Sequence, residues 1–366
     1  MGVRKLEHVE TPALVVDLAR LRANIAGMST SVRDRGLALR PHVKTHKCLE
    51  IAAMQREAGA AGLTVATLSE AEVFAAAGFD DLFVAYPVVP SGAKGERLRR
   101  LLDRVRLAVG VDSAAGAAVV ARAAQGRPAR VVLEIDSGQH RTGVAPPDAV
   151  SLAEACAALR LDVEGVFTHG GHSYAGPDAP RAAAIDEGAA LTDARTRLVA
   201  AGFRVDVVSA GSTPTTGGER PTAVTEERPG SYVFHDRQQL GLGACREEQV
   251  ALTVAATVVS THRGRFVVDA GSKALASDRP SWLDGHGTVV DARGSSGPGS
   301  TGGTVVSVSE HHGIVEGSTL PPAVGDVVRI VPNHVCTVVN LFEEYVVTEA
   351  GRVVDRWPVA ARGRNV

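Results

Sequence analysis

The segment RPHVKTHK, residues 40–47, concentrates side chains that could do chemistry. Only five of the 39 Lys+Arg residues in the chain are lysines, so arginine serves wherever a plain surface cation is enough. A lysine that loses its proton can act as an amine nucleophile or as a base, which arginine cannot do. Lys44 is therefore predicted to be chemically active, whereas Lys47 is interpreted as a charge at the start of a helix.

The segment SAGSTPT, residues 209–215, has the composition of an anion-binding loop. Backbone N–H groups and short hydroxyls, here those of Gly211, Ser212 and Thr213, bind phosphate in such loops. A phosphate site on one side of a ligand-binding cavity and a reactive lysine on the opposite side suggest a phosphorylated aldehyde, pyridoxal 5′-phosphate, which the lysine holds as a Schiff base. A Ser/Thr-rich turn without a ligand is the alternative.

The segment PNHVC, residues 332–336, offers a pair of metal ligands. On an extended strand the side chains of His334 and Cys336 point to the same face. Imidazole and thiolate together suit zinc, and two protein ligands leave positions open for water or substrate. The segment SEHHG, residues 309–313, adds His311 and His312 as further candidate ligands.

The elements that must position these residues form two regions. Eight short apolar runs, each followed by a stretch of helical period, predict a (β/α)8 TIM barrel. An open doubly wound sheet is the alternative, but the G-x-G-x-x-G expected after its first strand is absent. The predicted strands are residues 37–43, 62–67, 81–86, 106–112, 130–136, 162–169, 205–211 and 230–236.

Beyond residue 236 the chain becomes rich in Val and Thr, with Gly and Asn between the runs, which predicts a β domain. A polar Gly/Ser-rich segment, residues 291–303, is predicted to be a loop. The chain is therefore expected to be an α/β protein with two domains. The first is the barrel, over residues 11–237, and the second is a β-rich domain over residues 238–366 together with residues 1–10.

The bulk composition excludes several classes of function. A formal net charge of −2 over 366 residues argues against a nucleic-acid or membrane surface as the main partner. Neither a bilayer-spanning run nor the apolar core of a signal peptide is visible, so a cytoplasmic location is expected. The four cysteines contain no C-x-x-C pair, and no disulfide framework is expected.

In a (β/α)8 barrel, chemistry takes place where the strands end. The predicted strand ends carry many polar side chains, and together these outline a site. They are His42, Lys44, Thr67, Tyr86, Asp112, Asp136, Arg141, His169, His172, Tyr174, Ser209, Gly211, Ser212, Thr213 and Tyr232.

Several segments, in order from Thr11 to Cys336, resemble the metal-activated D-serine dehydratase and D-threonine aldolase group. These are fold-type III pyridoxal-phosphate enzymes related to alanine racemase. The resemblance implies a head-to-tail homodimer whose sites lie between the barrel of one subunit and the β domain of the other. The segments are TPALVVDLARLRANI, RPHVKTHK, ATLSEAE, EIDSGQHRTGV, THGGHSY, SAGSTPT, RPGSYVFHD, SEHHG and PNHVC.

The resemblance also implies roles for individual residues. Lys44 is the Schiff-base lysine, Arg141 lies beside the phenolic oxygen of the cofactor, and Tyr174 contacts the cofactor. His334 and Cys336 are the metal pair; the H-x-C form resembles the dehydratases, since the aldolases of the group carry Asp at the second position. The remaining cofactor-binding residues are His42, His169, Gly211, Ser212, Thr213, Gly230, Ser231 and Tyr232.

The implied function is a pyridoxal-phosphate- and zinc-dependent D-serine dehydratase that releases pyruvate and ammonia. In this mechanism Lys44, with Arg40 and Arg141 as neighbours, takes the proton from the substrate Cα. The alternatives are a D-threonine aldolase using Mn²⁺ or Mg²⁺, and a D-threo-3-hydroxyaspartate dehydratase. An alanine-racemase-type reaction has no use for a metal pair, and a cofactor carrier without catalysis is the remaining possibility.

Overall fold

A computed structural model describes residues 9–218, 223–290 and 302–366. Residues 1–8, expected in the second domain, and residues 291–301 of the predicted Gly/Ser-rich loop lie outside this description. Within the described ranges, none of the helices has both the length and the apolar character that crossing a membrane requires. All four cysteines are free thiols.

The first sheet has eight parallel strands that follow one another around a ring, which confirms the predicted barrel. In the order in which they pair they are β2, β9, β8, β7, β6, β5, β4 and β3. The ring closes where His42 and Thr64 form a parallel bridge. The strands are β2 (Ala38–Leu39), β3 (Leu63–Val65), β4 (Asp81–Pro87), β5 (Arg106–Val111), β6 (Arg130–Glu134), β7 (Asp162–Phe167), β8 (Val207–Ala210) and β9 (Glu226–Glu227).

Helices surround the barrel and bury an Ala/Leu/Val face against it. Several begin at a side-chain cap: Thr67 accepts a hydrogen bond from the Glu70 N–H at 3.0 Å, while the Glu70 carboxylate accepts one from the Ala66 N–H at 2.7 Å. The helices are α1 (Leu18–Asp34), α2 (Leu49–Glu57), α3 (Leu68–Ala76), α4 (Ala93–Leu102), α5 (Ala114–Ala124), α6 (Ala149–Ala158) and α7 (Ala179–Ala200).

The eighth strand lies earlier than predicted. It is the two-residue strand Glu226–Glu227, whereas the predicted run at 230–236 contains a 3-10 helix, Ser231–Val233. Both glutamates are buried, and each is neutralised by an arginine: Glu226 lies 3.0 Å from Arg40 and Glu227 lies 2.7 Å from Arg35. Buried charged residues give no apolar signal, so the sequence pattern pointed instead to the apolar residues that follow.

The second sheet forms the β domain. Strands β11, β14, β13, β12, β15 and β10 form a closed ring because β11 also pairs with β10, and β1, β16 and β17 extend the sheet from β10. All pairings are antiparallel except that of β1 with β16. The strands are β1 (Ala13–Asp17), β10 (Leu252–His262), β11 (Arg265–Val268), β12 (Gly287–Val289), β13 (Thr304–Val308), β14 (Gly313–Glu316), β15 (Val327–Pro332), β16 (Glu344–Glu349) and β17 (Arg352–Pro358).

The sheets divide the chain differently from the expected boundary at residue 11. Strand β1 pairs with β10 and β16, so the chain begins in the second sheet and enters the barrel only through α1. Leu14 and Val16 are fully buried in the core of the second domain, and Val15 is buried on the opposite face. A strand buried on both faces reads as a continuous apolar run, which does not reveal the sheet to which it belongs.

Three short helices interrupt the β domain near the barrel. They are α8 (Arg237–Gly241), α9 (Ser272–Leu275) and α10 (Val335–Val339). The segments around all three contribute to the cavity described next.

Candidate active site

A cavity of about 340 Å³ opens at the carboxyl ends of the barrel strands. It brings together the residues predicted to bind cofactor or metal, except Tyr232 and the further candidate ligands His311 and His312. Its lining consists of His42, Lys44, Thr45, Ala85, Arg141, His169, Tyr174, Gly211, Ser212, Thr213, Arg228, Gly230, Ser231, Gln238, Asp278, His334 and Cys336. The side chain of Tyr232 is buried behind the cavity, where its hydroxyl accepts a hydrogen bond from Gln55 Nε2 at 2.9 Å.

The two lysines of the 40–47 segment have different environments. Lys44 lies in the 3-10 helix Val43–Thr45 directly after β2, and its side chain is exposed to the cavity. Lys47 is buried, with its Nζ 3.2 Å from Glu70 and 2.8 Å from Asn340 Oδ1. Lys44 is therefore the lysine available to a ligand, and Lys47 joins the barrel to the second domain instead of standing in solvent.

Two loops converge to form an anion cradle. Gly211 has a φ of +87°, and the Ser212 N–H is held by Thr215 Oγ1 at 2.8 Å. Thr213 Oγ1 accepts hydrogen bonds from Ser231 Oγ at 3.0 Å and from the Tyr232 N–H at 3.1 Å, which ties the two loops together. Both amides donate within the loops, so the hydroxyls of Ser212, Thr213 and Ser231, which line the cavity, are the groups that fit a phosphate.

Gly230 leaves the space that brings this cradle close to Lys44. A Cβ at this position would lie 2.6 Å from Thr45 Oγ1 and 3.1 Å from the His42 carbonyl oxygen. A larger residue would therefore push the second anion-binding loop away from the lysine segment.

Two imidazoles in the cavity are kept neutral. Burial, followed by the charges of Lys44 and Arg228, holds the pKa of His42 well below its usual value. Burial and the charge of Lys44 also lower the pKa of His169, to about 3. Both rings line the cavity, so they can exchange hydrogen bonds with a polar ligand there without adding charge, which fits a cofactor.

Arg228 is a cationic lining residue that the sequence analysis missed. It is buried, and its NH2 group donates to the Thr168 carbonyl oxygen at 2.6 Å while NH1 donates to Ser209 Oγ. Its guanidinium lies 5.4 Å from the centre of the Phe167 ring. Arg40, which was expected beside Lys44, instead forms ion pairs inside the barrel wall, so that expectation was wrong.

His334 and Cys336 lie together, although not on a strand as predicted. His334 has extended backbone angles and caps helix α10, and Cys336 lies in the first turn of that helix. Burial raises the pKa of the Cys336 thiol, but the charge and hydrogen bond of His334, together with Lys44 and Thr45, outweigh burial and lower it. The thiol therefore favours the thiolate form that binds metals.

The carboxylate of Asp236 orients the imidazole of this pair. Asp236 Oδ2 lies 3.3 Å from His334 Nδ1, so Nε2 is the nitrogen available to a metal. Within the described ranges, no three His, Cys, Asp or Glu side chains are grouped closely enough to hold a metal ion. A metal held by this pair would have two protein ligands, with its remaining positions open to water or substrate.

Comparisons with known proteins place both halves of the chain. Residues 16–238 match the alanine racemase N-terminal domain, and residues 251–348 match a putative serine dehydratase domain. The chain is 38% identical to D-threo-3-hydroxyaspartate dehydratase of Delftia sp. (strain HT23), over 95% of this chain and 97% of that protein. It is 33% identical to a D-threonine aldolase of Arthrobacter sp., over 98% and 94% of the two chains.

The chain belongs to this family of fold-type III pyridoxal-phosphate lyases. A D-serine dehydratase of Dictyostelium discoideum is 30% identical, over 93% of each chain. The solved structure of the Delftia enzyme superposes on this lyase with a TM-score of 0.88, at 37% identity, covering 97% of this chain and 98% of that one. Alanine racemase of Clostridium difficile 630 shares the fold, with a TM-score of 0.68 at 15% identity over 96% and 99% of the two chains.

Several polar residues predicted at the rim lie outside the cavity of this lyase. Thr67, Tyr86, Asp112 and Asp136 do not line it. Asp136 instead folds its own loop, since its carboxylate accepts from the N–H groups of residues 138 and 140 at 2.9 and 3.1 Å. The further candidate ligands of the SEHHG segment, residues 309–313, occupy an exposed turn between β13 and β14 and do not line the cavity either.

The sequence analysis assigned no role to several further residues in and beside the cavity of this lyase. Thr45, Gln238 and Asp278 line it, and Asp236 lies behind His334. Thr45 and Asp236 stood inside the segments RPHVKTHK and RPGSYVFHD, so a signal was present for these two residues. Gln238 and Asp278 lie beyond the predicted strand ends and gave none.

A buried histidine within the RPHVKTHK segment, His46, makes the stability of this lyase depend on pH. His46 Nδ1 accepts from the Cys48 N–H at 3.1 Å, and Nε2 pairs with Gln55 Oε1 at 3.2 Å. Burial lowers the pKa of His46 to about 4. Below the ordinary value of 6.5 the unfolded chain takes up a proton that the folded chain refuses, so stability is lost as the pH falls from 6.5 towards 4.

We expect His46→Asn to remove part of this loss. Between pH 7.5 and pH 5 the wild-type free energy of unfolding should fall by about 2 kcal/mol more than that of the variant, since one pKa unit is worth about 1.4 kcal/mol. Urea unfolding at both pH values measures the difference. Equal losses in the two proteins would show that His46 is already protonated in the fold.

Proposed function

We propose that this lyase is a pyridoxal-phosphate- and zinc-dependent dehydratase of D-3-hydroxy amino acids that converts D-serine to pyruvate and ammonia. The observation that carries the proposal is that a single chain brings Lys44 and the His334–Cys336 pair to the same cavity. An amine that can move a proton at Cα and a metal pair that can act on the β-hydroxyl are the two functions that β-elimination of water requires.

The cofactor would be held at three places in the cavity. Lys44 would hold its aldehyde, and the cradle around Thr213 and Ser231 would hold its phosphate. Arg141 and Arg228 supply fixed positive charge, and Tyr174 a buried hydroxyl. When bound, pyridoxal 5′-phosphate supplies an electron sink for the charge left at Cα.

Lys44 is the proposed proton carrier. Its Nζ reaches the cavity and would take the proton from the substrate Cα. His42 and His169 are neutral, so they add no positive charge around this amine and can serve as hydrogen-bond partners. The cations Arg141 and Arg228 in the same cavity would hold the carboxylate of a D-amino acid or other anionic groups.

His334 and Cys336 would hold the divalent metal. A metal there supplies a Lewis acid for the departing β-hydroxyl, and hydroxide leaves poorly without one. A thiolate ligand favours zinc over Mn²⁺ or Mg²⁺, which prefer oxygen. A solved D-threo-3-hydroxyaspartate dehydratase with a cysteine-to-alanine substitution is in a metal-free form, and another solved variant replaces a histidine numbered two positions earlier, the same spacing as here.

A D-threo-3-hydroxyaspartate dehydratase is the second candidate function. It is favoured by the 38% identity to the Delftia enzyme over 95% of this chain. Arg141 and Arg228 are cations that could bind the additional carboxylate of such a substrate. The D-threonine aldolase reaction is favoured by 33% identity to the Arthrobacter enzyme. Cys336 argues against it, because the family resemblance implies an Asp at this position in an aldolase.

Product analysis tests these alternatives. The purified holoenzyme is incubated separately with D-serine, D-threonine and D-threo-3-hydroxyaspartate, and keto acids, ammonia and glycine are measured. A dehydratase gives a keto acid and one ammonia per turnover: pyruvate, 2-oxobutanoate or oxaloacetate. Glycine with acetaldehyde from D-threonine, without keto acid, would replace the proposal by the aldolase reaction.

We also propose that the enzyme is a homodimer with the mouth of the cavity at the subunit interface. Lys44, Asp278 and Cys336 line both the inner cavity and a wider outer cavity of about 670 Å³. A second subunit over the outer cavity would exclude water from the reaction. A monomeric mass by light scattering would contradict the proposed homodimer. His334 and Cys336 come from the same chain as Lys44, so the dimer is not needed to supply them.

A further inference from the structure

The imidazole of the proposed metal pair is held by a buried carboxylate. Asp236 is completely buried and lies at the end of the segment that leads out of the barrel. Its Oδ2 lies 3.3 Å from His334 Nδ1 and accepts a hydrogen bond from the Val335 N–H at 3.0 Å. A single carboxylate oxygen thus contacts both the ring of one ligand and the first residue of the helix that carries the other.

The thiol of the pair is held by a buried hydroxyl. Thr45 is 1% exposed, and its Oγ1 lies 3.2 Å from Cys336 Sγ. A hydroxyl can donate a hydrogen bond to a thiolate, which orients the sulfur lone pairs. Thr45 directly follows Lys44, so the segment that carries the lysine also contacts the metal pair.

We propose that Asp236 and Thr45 are positioning residues for the metal. Asp236 fixes His334 with its proton on Nδ1 so that Nε2 faces the metal, and Thr45 fixes the sulfur of Cys336. This inference rests on the proposed function, because it requires a metal at His334 and Cys336. Residues that orient metal ligands in this way are worth about 10–100-fold in metal affinity.

The tautomer of His334 gives Asp236 its largest effect. In Asp236→Asn an amide NH2 in place of Oδ2 could no longer accept from the Val335 N–H, and Nδ1 of His334 would have to accept a hydrogen bond from it. The ring proton would move to Nε2, where it blocks the metal; the same change of tautomer explains the loss of activity when the aspartate of a catalytic triad is replaced by Asn. The amide oxygen of Asn can still accept from the Gln239 N–H, now 2.9 Å from Asp236 Oδ1, so helix α8 keeps its cap.

The test measures zinc binding instead of activity. Wild type, Asp236→Asn, Thr45→Val and the control Thr337→Val are loaded with cofactor, stripped of metal and titrated with zinc against a chromophoric chelator. Thr337 lies on the same helix, and its hydroxyl donates to the His334 carbonyl oxygen at 3.1 Å, not to a ligand atom. The absorption of the cobalt(II) forms reports the ligand geometry, and the cofactor absorbance reports the fold of the cavity.

We expect a weaker zinc affinity by about 10–100-fold for Asp236→Asn and by a smaller factor for Thr45→Val, with shifted cobalt bands and unchanged cofactor absorbance. Thr337→Val should match wild type. Zinc affinities of both variants within about twofold of wild type would overturn the inference. If Asp236→Asn does not fold, the zinc affinity of Thr45→Val relative to that of Thr337→Val decides whether the inference holds. If wild type itself binds no zinc, the proposed metal site fails, and the inference fails with it.

Discussion

Lys44→Ala is expected to lower the turnover of D-serine by about 10²–10⁴-fold, the usual contribution of a positioned acid–base group. The variant should also lose the yellow absorbance of cofactor bound covalently to the chain, since no second lysine among the described residues lines the inner cavity. The spectrum after extensive dialysis and the rate of pyruvate formation measure the two effects separately.

Lys94→Ala is the matched control. Lys94 is exposed in the first turn of α4 and does not line the inner cavity. This variant should keep both the absorbance and the rate. A Lys44→Ala protein that stays yellow after dialysis and turns over at the wild-type rate would contradict the assignment of Lys44.

Removing either member of the metal pair is expected to have the next largest effect. His334→Ala and Cys336→Ser should each lose bound zinc, and the rate of elimination should fall by roughly 10²-fold, because Lewis-acid assistance is worth about 3 kcal/mol. The cofactor absorbance should persist, since neither residue belongs to the lysine segment or the anion cradle. Metal content by atomic emission and pyruvate formation measure the effect.

One variant outside the cavity serves as the control for this experiment. His262→Ala removes an exposed imidazole at the end of β10, and this residue does not line the inner cavity. The variant should bind zinc as wild type does. Full metal content and an unchanged rate of elimination in His334→Ala would show that the metal binds elsewhere.

The barrel could be predicted because seven of its eight strands are apolar and are followed by helices of regular period. The last strand could not, because Glu226 and Glu227 are buried as ion pairs with arginines that are distant in sequence. Pairing of this kind is a tertiary interaction, and a local pattern cannot contain it. Strand β1 was similarly ambiguous, because an apolar run fits either sheet.

The residues of the cavity were predictable where a motif and a strand end coincided, as for Lys44 and for the loop from Gly211 to Thr213. Arg228 and Asp236 stood within a recognised segment, but their roles depend on contacts made by distant parts of the chain. The side chain of Tyr232 does not reach the cavity, because the segment that contains it is a 3-10 helix and the tyrosine hydroxyl accepts from Gln55 in the core.

The metal pair was predicted from a spacing that applies to strands. Residues two apart on a helix point in nearly opposite directions, so helix α10 alone would separate the two ligands. They meet because His334 precedes the helix with φ −141° and ψ 113° and is therefore still extended. The prediction that His334 and Cys336 lie together agrees with the structure, although the strand assumed as its reason was wrong.

The measurement that tests the central claim most directly is pyruvate formation from D-serine by purified holoenzyme, before chelation, after chelation and after the addition of zinc. We predict pyruvate with one ammonia per turnover, its loss on chelation and its return with zinc, while the cofactor absorbance stays constant throughout. Pyruvate formation that continues unchanged in protein shown to be free of metal would contradict the dehydratase mechanism proposed for His334 and Cys336.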